Sequence, residues 1–105
     1  VSGALVRPLF IPLKREYFDR FSRRDKTVEF RPYGPRWNER TCALGRRVVL
    51  SLGYGKAHRL TGFVQSFRVA EESERSEIPG WRECYGDDPR QIACVGIYVQ
   101  DWPNT

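Results

Sequence analysis

The 105-residue sequence predicts a small, highly curved β-sheet or barrel of about five strands, with one clear helix between the first two. Three observations carry this. Short stretches of alternating apolar residues, bounded by glycine and proline, recur at a density that favours a sheet burying one face against itself. One segment, "KREYFDRFSRRDK" (14–26), breaks the alternation with apolar residues at helical spacing. The two strongest strands, 48–53 and 58–70, are joined too tightly for a crossover helix, which disfavours a doubly wound α/β sheet.

The elements follow in order. "RPLFIPL" (7–13) carries two prolines, which confine it to an edge strand or an extended lead-in. In 14–26, Tyr17, Phe18 and Phe21 follow Leu13 on one face and charges cover the other, giving an amphipathic helix of about three turns. "KTVEFR" alternates β-branched and aromatic residues with polar ones and reads as a strand. A long connection, "PYGPRWNERTCALG" (32–45), places Tyr33 and Trp37 as packing plugs or exposed rings. Val48 to Leu52 form a buried strand that ends in a Gly-Tyr-Gly turn. The segment 58–71 alternates through Leu60, Phe63, Gln65 and Phe67, with Gly62 marking a bulge or a close approach. Residues 71–78 are acidic, with a helical turn or two. Residues 79–91 look loop-like, and "IACVGIYVQDW" (92–102) is the last strand.

At this length the chain forms one domain, residues 1–105. The longest apolar run is about four residues, against roughly 20 needed to span a bilayer, so no membrane association is expected. The apolar patch near the start is broken by Arg7, Pro8 and Pro12 and does not read as a signal peptide. Three widely spaced cysteines (Cys42, Cys84, Cys94) and one histidine, His58, make neither a disulfide framework nor a zinc set. A cytoplasmic protein with reduced thiols, no metal and no cofactor is the expectation. Net charge is +5, but residues 1–68 carry +10 and residues 69–105 carry −5, and 15 of the 18 cations are arginine. An arginine-rich basic part suits a phosphate-bearing partner such as RNA, although a solvated surface fits the same totals.

Two constellations can carry chemistry. Strand alternation puts Val28 and Phe30 towards the core and Thr27, Glu29 and Arg31 together on the opposite face, with Lys26 just before them. A carboxylate beside two cations stays charged, which suits a fixed hydrogen-bond acceptor. A cross-strand surface charge ladder would look alike. The second is "SLGYGKAHR" (51–59), where Tyr54 at a glycine turn can stack on a base and Lys56 can meet phosphate. It lacks the spacing of a nucleotide-hydrolase phosphate loop, and a plain hairpin turn fits it equally well. Ser51 beside His58 has no motif that would make it a nucleophile and reads as structural.

The stretches "IPLKREYFDRFSRRDKTVEFRPY", "GRRVVLSLGYG" and "RLTGFVQSF" resemble the ASCH domain, a member of the PUA-like β-barrel superfamily. That family opens with an L-K-x-x-Y/F segment and a helix, then a G-x-K-T-x-E-x-R signature. Here the signature stands as Asp25, Lys26, Thr27, Val28, Glu29, Phe30 and Arg31, and a further strand begins at Gly45. The likeness covers about residues 9–70, with a closing strand at 92–99. Asp25 stands in place of the family's glycine, at a helix–strand turn where aspartate tolerates the left-handed conformation.

The resemblance implies a barrel with a cleft lined by Lys26, Glu29 and Arg31, and an RNA, nucleotide or nucleoside ligand. In this reading Arg31 and Lys56 hold phosphate, Thr27 and Glu29 meet the base or ribose, and Tyr54 or Trp37 stacks. Some relatives are small amidohydrolases acting on N4-acetylcytidine, which use a lysine and a threonine of the signature strand with a downstream glutamate. Lys26 matches that lysine, Glu29 occupies the threonine's position, and Glu72 or Glu74 is the candidate for the glutamate. The alternative is therefore a metal-independent hydrolase acting on a modified nucleoside or on RNA, with Lys26 polarising the scissile group and Glu29 positioning water. A protein-interaction module whose two charged ends meet different partners is a third reading.

Overall fold

The computed structural model describes residues 7–78, 80–86 and 88–100, with the side chain of Glu72 outside that set. Five strands form one mixed sheet that curls into a half-barrel: β1 (Leu9–Leu13), β2 (Val28–Pro32), β3 (Arg47–Leu52), β4 (Arg59–Ala70) and β5 (Ile92–Val99). Helix α1 (Arg15–Ser22) joins β1 to β2, and a 3₁₀ helix (Glu72–Glu77) and the short α2 (Trp81–Tyr85) lie between β4 and β5. The spatial order is β1-β3-β4-β5-β2, so among the described residues the strands flanking α1 are the two edges of the sheet. β1 runs parallel to β3, and the other three pairings are antiparallel.

Each element follows from its sequence. In β1 the residues Leu9, Ile11 and Leu13 are buried, and Pro12 is tolerated because, among the described residues, the strand has a neighbour on one side only. Phe18 and Phe21 of α1 pack into the same core. The helix stops after two turns because Arg24 takes a left-handed backbone (φ 67°), which lets the amides of Asp25 and Lys26 donate to the Arg20 carbonyl. The left-handed residue is thus Arg24, one before the aspartate expected there. β4 is long enough to pair with β3 through its first half and with β5 along most of its length, and the register slips between Val64 and Ser66. The bulge is therefore at Gln65, whereas Gly62 is a close approach: a Cβ there would sit 2.1 Å from the Tyr98 carbonyl oxygen.

Both faces of the sheet are covered. The main core gathers Leu9, Ile11, Leu13, Phe18, Phe21, Trp37, Val48, Leu50, Val64, Ala93, Val95 and Ile97. A smaller cluster, Ala70, Trp81, Ile92 and Cys94 with Val28 and Phe30 against it, lies on the other side of β5. Trp37 is a packing plug held by the 33–46 loop, in which the Asn38 side-chain amide donates to the Gly34 carbonyl and its oxygen accepts from the Thr41 amide. Ser51 is structural, its buried hydroxyl donating to the Gly55 carbonyl. Among the described residues no helix is long and apolar enough to cross a membrane. The final strand stops at Val99, and residues 101–102 of the predicted one lie outside the described set.

Candidate functional site

Glu29 and Arg31 stand opposite Val95 and Ala93, so their side chains share the face of the main core. The expectation that Val28 and Phe30 take that face, with the polar row turned away from it, is corrected. Val28 stands opposite Gly96 and Phe30 opposite Cys94, on the side of the smaller cluster. Glu29 and Arg31 instead enter the gap between β1 and β2. Arg31 spans it: Nε donates to Glu29 Oε2 at 2.6 Å, and Nη2 reaches across to the Pro12 carbonyl of β1 at 2.9 Å. The guanidinium carbon lies 4.8 Å from the centre of the Trp37 ring, a cation–π contact.

Lys26 completes the set. Its Nζ lies 3.9 Å from Glu29 Oε1, on the side of the carboxylate away from the contact with Arg31 Nε. Rings of Phe30, Phe21 and Tyr17 lie within 4.9, 5.5 and 5.7 Å of the ammonium. The three charged side chains are only 9–16% exposed. Removal from water pushes the Lys26 amine below the usual lysine range; Glu29 opposes that, and Arg20 and Arg31 add to it. Two cations thus share one carboxylate at the edge of the core.

A cavity of about 290 Å³ opens at this point, with Pro12, Leu13, Lys14 and Tyr17 on one side and Ile78, Trp81, Cys84 and Tyr85 on the other. Its depth owes much to a contact between elements distant in sequence. Gly80 has φ 80° and lies so close to Tyr17 that a Cβ would sit 1.8 Å from the phenolic oxygen. That approach seats the 80–85 segment beside α1. Burial holds the phenols of both Tyr17 and Tyr85 above the ordinary tyrosine value, so both remain hydrogen-bond donors at neutral pH.

Of the residues singled out from sequence, Lys26, Glu29 and Arg31 meet in this cavity. Thr27 is exposed and is not among the lining residues; its carbonyl accepts from the Ile97 amide. Trp37 is buried behind Arg31 and lines a neighbouring hollow. Tyr54 is 80% exposed, pairs with the ring of Phe10 at 6.1 Å, and with Lys56 belongs to the β3–β4 turn. That turn is tied to the cavity rim by the Gly53 amide, which donates to the Leu13 carbonyl. The Glu74 side chain accepts from the Glu71 amide and faces Arg68, apart from the cavity lining. Glu72's side chain is outside the described set. Sequence reasoning missed Tyr17, Trp81, Glu83, Cys84 and Tyr85 as lining residues. For Tyr17 the helical face was the available signal, since it sits beside Phe18 and Phe21.

The fold superposes on the crystal structure of hypothetical protein PH0355 with a TM-score of 0.64 and 19% sequence identity, over 87% of this chain and 97% of that one. At that identity the likeness is one of fold: a curled five-stranded sheet with a helix between its first two strands. No family model matches the chain, and no curated protein matches it.

Proposed function

We propose that this chain is an RNA- or nucleotide-binding domain of the ASCH type, taking a nucleobase into the cavity between β1, β2, α1 and α2. The observation that supports this most directly is the Glu29 carboxylate held between Lys26 and Arg31 in an aromatic-walled cavity. A volume of about 290 Å³ stands at the small end of ligand sites, the scale of one base with part of its sugar. Tyr17, Phe30 and Tyr85 offer ring faces for stacking, and Glu29 offers acceptor lone pairs to the amino and imino groups of a base edge. The sugar–phosphate chain would leave along the arginine-rich part of the surface, with the Tyr54–Lys56 turn at the β1 rim as an outer contact.

The test is titration of the purified protein with nucleosides and short RNAs at several salt concentrations. One class should bind, with affinity for RNA falling steeply as salt rises, and Arg31→Ala should weaken it. Failure of every nucleoside and RNA to bind, or binding indifferent to salt, would refute the reading and favour a protein partner.

One observation favours a second reading, a hydrolase in the same cavity. Lys26 is pushed towards its neutral form, the state in which an amine accepts a proton, with Glu29 next to it to orient water. Incubation with a nucleoside panel that includes N4-acetylcytidine, followed by mass spectrometry, should then give a product that Lys26→Met does not form. No product from any member of the panel would overturn it.

A further inference from the structure

Beyond the base-binding cavity lies a second hollow of about 250 Å³, and Arg31 and Tyr85 line both. Its other walls include Arg36, Trp37 and Arg90, so three guanidiniums converge on one small space. Two of them are held from behind. Glu29 and the Pro12 carbonyl engage Nε and Nη2 of Arg31, and Asp88 engages Nε and Nη2 of Arg90. In each the Nη1 group makes no hydrogen bond among the described residues, and Arg90 Nη1 lies against Gly34 on the wall of the hollow. Arg36 is exposed, rests over the Trp37 ring at 5.9 Å, and pairs with no carboxylate among the described residues. Arg31 lies over the same ring at 4.8 Å. Two guanidiniums at one indole repel each other, and the repulsion is relieved when an anion enters between them. Holding Nε and Nη2 in this way fixes each guanidinium plane and leaves its Nη1 group preorganised to donate to a tetrahedral oxyanion.

We infer that this hollow is a phosphate subsite, lined by Arg31, Arg36 and Arg90, for the phosphate ester of a nucleotide whose base occupies the first cavity. The inference rests on the base-binding reading and sharpens it, because it makes the ligand a nucleotide or an RNA strand rather than a free nucleoside. Arg31 and Tyr85, shared between the two hollows, stand where sugar joins base to phosphate.

The experiment is calorimetric titration with the four ribonucleosides, their 3′- and 5′-monophosphates, and inorganic phosphate. For at least one base the monophosphate should bind about tenfold tighter than its nucleoside, the size of one charge-assisted hydrogen bond. Arg36→Ala and Arg90→Ala should each narrow that gap, leaving the nucleoside's affinity within about twofold, and Arg36→Lys should restore part of it. Arg36 is exposed, so its variants keep the fold. A nucleoside that binds no more weakly than its monophosphates overturns the subsite and leaves the base cavity standing. So does a gap that survives both alanine variants. Inorganic phosphate binding as tightly as the monophosphates would make the hollow a free-anion site and overturn the linkage. If neither nucleosides nor nucleotides bind, the base-binding reading fails and the subsite fails with it.

Discussion

Replacing Glu29 by glutamine tests whether the buried carboxylate is what allows two cations to share the edge of the core. The side chain keeps its shape and can still accept from Arg31 Nε, but the negative charge is gone. At the 3.9 Å separation from Lys26, Coulomb's law with an effective dielectric constant near 20 gives about 4 kcal/mol of lost attraction. Breaking a buried pair by removing one partner typically costs about 3–5 kcal/mol. Because the amide retains a hydrogen bond, a loss of about 3 kcal/mol is expected. Urea unfolding followed by fluorescence of the buried Trp37 and Trp81 measures it. The pH dependence adds a second readout. Lys26 binds its proton more weakly in the folded chain than in the unfolded one, so between those two values unfolding turns a neutral amine into a charged one and takes up protons. Stability therefore rises with pH up to the ordinary lysine value of 10.5. Glu29 opposes the shift, so the rise should begin at lower pH in Glu29→Gln and be missing in Lys26→Met. A glutamine variant within about 0.5 kcal/mol of wild type, with an unchanged pH profile, would refute the argument that these charges depend on one another.

Three further outcomes are expected. Gly62→Ala drives a Cβ into the Tyr98 carbonyl of the paired strand, and unfolding experiments should show a loss of about 1–3 kcal/mol; a silent substitution would mean that β4 and β5 separate freely. Gly80→Ala meets both the Tyr17 phenol and a left-handed backbone, so nucleoside titration should weaken more than global stability falls; equal binding would detach the 80–85 segment from the site. The Asp88 carboxyl, held down to about 2 from 3.8 by its hydrogen bonds to Arg90, lends stability that is present above the higher value and lost as pH falls through the lower. Carbon-detected titration should find that midpoint near 2 and return it towards 3.8 in Arg90→Ala, whereas a wild-type midpoint already near 3.8 would undo the preorganisation of the second hollow.

The fold was legible where local pattern and tertiary position agree. The prolines of β1 limited it to an edge or a lead-in, alternation in β2 and β4 and apolar runs in β3 and β5 announced strands, and Tyr17, Phe18 and Phe21 announced α1. α2 was not legible, because five residues between Gly80 and Gly86 are too few to carry a helical period. It forms because the rings of Trp81 and Tyr85 meet at 4.5 Å, tilted by 45°, and pack against the smaller cluster, which draws on β2, β4 and β5. Gln65 rather than Gly62 holds the bulge for the same kind of reason. The slip falls just past the point where β4 leaves β3 and continues along β5, which no single window of sequence contains.

The site divides in a similar way. A period of two states that Glu29 and Arg31 share a face, but it is symmetrical about the sheet and cannot state which face is the deeper. Here both faces are covered, and β5, buried from Ile92 to Ile97, gives the larger core to the side where the charges stand. If that cluster served only to seal the gap between β1 and β2, apolar side chains of similar volume would seal it as well or better. The variant Lys26→Met, Glu29→Leu, Arg31→Met separates the two roles. A ligand site at this position predicts a chain as stable as wild type or more so, by up to about 4 kcal/mol, that no longer binds nucleosides or nucleotides. A variant that unfolds would make the charges the seal itself, since the Pro12 carbonyl would then have lost the Arg31 side-chain donor that reaches it across the gap between β1 and β2.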